Sequence, residues 1–103
     1  MDLIDDDKET LRRCLEVAAS GRIFEDPEFH ALFGLQRSEF GAIFSKWPNV
    51  DWTDPDVDLA VNNTLANLLG YPHGKDLASL VGADRDHLEA LSQRWRERAP
   101  WSQ

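Results

Sequence analysis

Between Pro55 and Gly70 the apolar side chains recur every three or four residues. Val57, Val61, Leu65 and Leu68 make one stripe, broadened by Ala60, Thr64 and Leu69. That spacing follows the α-helical turn of about 3.6 residues, whereas a strand would need alternation every two. Thr53 or Asp54 is placed to cap the helix, and Pro55 suits its first position. Gly70 and Pro72 mark its end, with glycine as the left-handed stop. No other segment shows sustained two-residue alternation either, so the chain must build its core from helices.

The remaining segments fit that frame. A first helix is predicted from about Asp7 to Ser20, capped by Asp6 and stopped by Gly21. Leu11, Leu15 and Ala18 share its apolar face, with Cys14 beside them. Asp26 and Pro27 open a short helix through Phe29, Leu32 and Phe33, which Gly34 ends. Leu35 and Phe40 flank Gln36 as a hydrophobic staple, with Glu39 at the third helical position. Phe40, Ile43, Phe44 and Trp47 then form a bulky stripe before Pro48. A short helix carries Leu77, Leu80 and Val81 up to Gly82. Asp84 caps a last one with Leu88, Leu91 and Trp95, ending near Arg98. The expected architecture is all-α: a compact single domain over residues 1–103, with five to six helices, some short, around an aromatic-rich core. Its 103 residues are enough to bury a core without a metal or disulfide staple.

Charge narrows the range of functions. The net charge is −8, and the excess is uneven. Residues 1–58 hold 14 acids and 6 bases, and residues 59–103 hold 5 of each. Phosphate backbones and anionic lipid surfaces require the opposite sign, which disfavours nucleic acid and membrane as partners. A basic protein partner is allowed and would be steered electrostatically. The lone Cys14 cannot form an internal disulfide or a cysteine metal site. With no signal-type leader and no apolar run of about 18 residues, the expectation is a cytoplasmic protein.

No sequence motif for catalysis or cofactor binding is present: there is no phosphate loop, nucleophile elbow or metalloprotease helix. The expectation is therefore a non-enzyme without cofactor or metal. Asp54, Asp56 and Asp58 match the opening of a calcium loop, but its glycine would fall at Leu59 and its closing acid at Leu65. Helix capping and dipole compensation explain Asp54 and Asp56. Trp52, set among Asp51, Asp54, Asp56 and Asp58, leaves two readings open. It is either a core residue pinning the loop or the anchor of a protein-binding face steered by those acids.

Asn62, Asn63 and Asn67 sit inside the best helix, where Asn is intrinsically unfavourable. Asn63 and Asn67, followed by Tyr71 and His73, can be read as a structural clamp on the Tyr71–Gly74 turn or a neighbouring loop, or as a small ligand site. Arg94, Arg96 and Arg98 surround Trp95, where dipole compensation at a helix end accounts for them. The aromatic supply also allows an apolar face for a second copy of the chain, a homodimer.

The stretch from Leu32-Phe33-Gly34-Leu35 through Trp47-Pro48, with Val61-Asn62-Asn63-Thr64-Leu65-Ala66-Asn67-Leu68-Leu69-Gly70-Tyr71-Pro72-His73, resembles a segment of short bacterial proteins of uncharacterised function. No activity follows from that resemblance. In size, acidity and helicity the chain is similar to small bacterial immunity proteins, which neutralise toxin domains. That similarity implies a protein inhibitor whose partner is basic.

Overall fold

The computed structural model describes residues 5–20, 29, 31, 33–70 and 76–97. Helix α1 spans Asp5–Ala19, α2 Arg37–Lys46, α3 Pro55–Gly70, α4 Leu77–Val81 and α5 Arg85–Glu97. No strand occurs among the described residues, so the protein is all-α. Helix α1 packs against α2, α3 and α4, and α3 packs in turn against α2 and α5. The Cα radius of gyration, 12.7 Å, matches the ~13 Å expected of a compact domain near 100 residues. None of the described helices is long and apolar enough to cross a membrane.

Each helix start has a local chemical cause. Asp54 Oδ1 accepts from the Asp56 N–H at 2.9 Å, which caps α3 with Pro55 as its first residue. Asp76 accepts from the Ala78 N–H and opens α4. Asp84 Oδ1 accepts from the His87 N–H at 2.9 Å and opens α5. At α2 the Gln36 N–H donates to Glu39 Oε1 at 2.8 Å, and the staple residues Leu35 and Phe40 are both buried. Gly82 ends α4 in the left-handed conformation, with φ of 73°.

Two boundaries differ from the sequence expectation. Asp6 does not cap α1, because the helix already includes Asp5 and Asp6. The three acids Asp5, Asp6 and Asp7 fill its first turn, where the helix dipole favours them. Gly70 is the last helical residue of α3 and has no positive φ, so it is not a left-handed stop. The far end of α1 contains no basic residue of its own. There Arg37 from α2 reaches across, its Nη1 donating to Ala19 O at 2.8 Å and Ala18 O at 3.3 Å. The same guanidinium lies 4.3 Å from the Phe29 ring centroid. Gly21 and the tail from Arg98 lie outside the described residues.

Every helix contributes to one core. Leu11, Leu15 and Ala18 of α1 meet Val57, Val61, Leu65 and Leu68 of α3, Val81 of α4, and Leu88, Leu91 and Trp95 of α5. Phe29, Phe33 and Phe40 form an aromatic cluster, with centroid separations of 4.5, 5.3 and 5.5 Å. Of the large hydrophobic side chains described, Leu59 alone is exposed. The described aromatic side chains are thus buried or half-buried against the core.

Among the described residues one buried side-chain polar atom lacks a partner. Thr64 Oγ1 lies in the core with no hydrogen bond to any of them. An unpaired buried hydroxyl costs about 1–3 kcal/mol. Thr64→Val keeps the shape and removes the hydroxyl, so it should stabilise the protein by about 1 kcal/mol. Urea denaturation tests this; a loss of similar size would mean that the hydroxyl is satisfied.

Candidate functional site

Three tryptophans form a row across one end of the helices. Trp47 follows α2, Trp52 lies in the connection to α3, and Trp95 belongs to α5. Trp52 is in the middle, 5.1 Å from the Trp47 ring centroid and 6.2 Å from that of Trp95. Both outer indoles are pinned. Trp47 Nε1–H donates to the Lys8 carbonyl of α1 at 2.8 Å, and Trp95 Nε1–H to Asn62 Oδ1 of α3 at 2.8 Å. Trp52 is half-buried and packs on the core. Its indole N–H has no acceptor among the described residues and is not a buried orphan. Lys8 Nζ lies 5.7 Å from its ring centroid, a cation–π contact. One portion of Trp52 therefore packs on the core and pins the loop, and the rest of the side chain is accessible.

The acids around it fall into distinct roles. Asp51 is exposed, and its Oδ1 accepts from the Thr53 hydroxyl at 2.6 Å and the Thr53 N–H at 3.0 Å. These two bonds, the hydroxyl first, hold its carboxyl below the usual carboxylate range. Asp54 is engaged in capping, Asp56 is exposed, and Asp58 is half-buried in the first turn of α3. The Lys8 contacts bring the first turn of α1, with exposed Asp5 and Asp6, to the same end of the molecule. The periodicity and capping signals that mark the Trp52 loop contain nothing that foretells this approach of α1.

The asparagines of α3 act as ties. Asn63 Nδ2–H donates to the Phe33 carbonyl at 2.9 Å, just before Gly34 turns the chain with φ of 73°. Glycine suits that position because a positive φ strains any other residue, and a Cβ would also crowd Leu59 Cδ2 at 3.1 Å. Asn67 Nδ2–H donates to the Asn63 carbonyl at 2.8 Å. Asn62 holds Trp95. The Asn63 bond ties α3 to the segment before α2, and the Asn67 bond stays within α3. Tyr71 and His73 lie outside the described residues.

Two further partnerships escape the sequence reading. One is the link from Arg37 to the end of α1. The other joins the ends of the chain: Arg94 of α5 forms a fork on Asp7 of α1, Nη2 to Oδ1 at 2.7 Å and Nε to Oδ2 at 3.0 Å. The Asp7 side chain is 5% exposed and that of Arg94 33%. The Asp7 hydrogen bond raises the Arg94 pKa above the usual arginine value. Arg94 is therefore not merely a charge balancing its own helix dipole. Arg85 and Glu89, 3.9 Å apart and exposed, form a surface ion pair.

Other chemistry is sparse. Among the described residues no group of three or more His, Cys, Asp or Glu is arranged to hold a metal ion. His87 is exposed, and His30 and His73 lie outside the described residues. Cys14 is fully buried, and desolvation pushes its thiol up to about 12. No family model, curated protein or solved structure matches the chain.

The Cys14 thiol yields a pH prediction. In the unfolded chain it ionises near the ordinary thiol value, while the folded thiol stays neutral to about 12. Ionisation therefore favours the unfolded state as pH rises above about 9. The native protein should lose more stability between about pH 9 and about pH 12 than Cys14→Ala does, by up to ~1.4 kcal/mol per pH unit. Parallel stability curves for the two proteins would contradict this burial.

Proposed function

We propose that this protein binds and neutralises a basic protein, acting as a non-catalytic inhibitor of the immunity type in a reducing, cytoplasmic setting. The docking face is the Trp52 loop with its surrounding carboxylates. The observation that carries this reading is Trp52 itself: a half-buried indole, held at its ring by two neighbours, with its N–H unpartnered among the described residues. A rigid aromatic with an unused donor has the properties of an interface anchor. Exposed Asp51 and Asp56 beside it, and Asp5 and Asp6 across from it, supply a field that attracts a basic surface. Asp58 and the cap Asp54 add to that field. The buried, neutral Cys14 fits a reducing compartment.

An enzymatic or ligand-binding reading built on Asn63, Asn67, Tyr71 and His73 has less support. Asn63 and Asn67 already direct their amide donors at backbone carbonyls.

The test is affinity capture on the immobilised protein at low and high ionic strength, with the captured protein identified. A basic protein should be retained by the native chain and released as salt rises. Trp52→Ala should weaken its binding by about thirtyfold, or ~2 kcal/mol. The triple change Asp51→Asn, Asp56→Asn, Asp58→Asn should slow association and flatten the salt dependence. Retention insensitive to salt, to Trp52→Ala and to the triple change would overturn the proposal.

A further inference from the structure

We infer that the Asp7–Arg94 ion pair is a latch that holds the Trp52 loop in its docking geometry, an inference that rests on the reading of that face given above. The latch touches none of the loop directly. It acts through the neighbours of its two residues. Next to Asp7, Lys8 holds Trp47 by its carbonyl at 2.8 Å and overlies Trp52 with its ammonium at 5.7 Å. Next to Arg94, Trp95 lies 6.2 Å from Trp52 and is fixed to α3 by Asn62. The ion pair thus clamps together the two segments that flank the Trp52 ring. Its fork geometry, at 2.7 and 3.0 Å, defines an orientation that a single contact would not. The loop has few ties of its own. Among them are the Asn49 N–H to Lys46 O at 2.7 Å and the Asp54 N–H to Asp51 O at 3.0 Å. A segment so lightly tied opens locally once its flanks loosen. Asp7 and Arg94 are accordingly positioning residues for the docking face.

Residue-resolved hydrogen exchange on the full chain, without partner, tests this. Asp7→Asn removes the charge, and Arg94→Lys keeps the charge but loses the fork. Glu9→Gln, which breaks a surface pair with Arg12 on the same helix, is the control. In both latch variants the Trp47 indole N–H and the Asn49 and Asp54 amides should exchange on the order of tenfold faster. The Leu80 and Gly82 amides of α4, whose local opening leaves the pair intact, should change by less than about threefold, and Glu9→Gln should leave all of them unchanged. Should Asp7→Asn fail to fold, Arg94→Lys supplies the same comparison. Unchanged exchange in the loop, or an equal rise at Leu80 and Gly82, would overturn the inference, since the pair would then serve overall stability alone. Because no partner is present, this result stands apart from the capture experiment, and either can fail without the other.

Discussion

The Asp7–Arg94 ion pair closes the fold, joining positions 87 residues apart in sequence. Helix α1 is the element around which α2, α3 and α4 gather, and α5 reaches the core by way of α3. A direct tie from α1 to α5 therefore comes from side chains more than from broad helix packing, and this fork is its strongest part. Replacing a buried pair with apolar side chains of matching shape is often neutral, but removing one partner leaves a charge uncompensated and costs about 3–5 kcal/mol. With Arg94 one-third exposed, water offsets part of that cost. The pair is thus better understood as fixing where α5 sits than as a source of net stability.

Helix α1 is held at both ends by residues from elsewhere in the chain. Arg37 satisfies its terminal carbonyls, and Asp7 and Lys8 at the other end receive Arg94 and Trp47. The first turn of α1 thereby becomes part of the wall around Trp52. The dipole of α1 favours acids at its start, which explains why Asp5, Asp6 and Asp7 cluster there. Only Asp7 turns inward; Asp5 and Asp6 remain exposed and extend the carboxylate field of the Trp52 loop. One short acidic run thus serves helix formation, tertiary closure and surface charge together.

The sequence made the helices legible because local chemistry determines them. The stripe from Val57 to Leu68, the Asp54–Pro55 start, the Leu35–Phe40 staple and the Asp84 cap each depend on residues within a turn or two of one another. The all-α architecture follows from those signals. Gly70 and Asp6 misled at the boundaries, because a glycine can finish a helix without leaving it and three acids can stabilise a first turn without capping it. The site was legible only as a loop with a tryptophan among acids. Nothing in the pattern separates Asp7 from Asp5 and Asp6, or Arg94 from Arg96, since burial of one charge in a run depends on packing between distant segments. The Asn62–Trp95 and Trp47–Lys8 bonds were hidden for the same reason, although three asparagines in a strong helix did signal that some tie was needed.

A double-mutant cycle on Asp7→Asn and Arg94→Gln, read by urea denaturation, tests the central claim most directly. A closing fork on a buried Asp7 predicts a coupling energy of about 1–3 kcal/mol between the two positions. A coupling below about 0.5 kcal/mol, typical of a surface ion pair, would contradict the account.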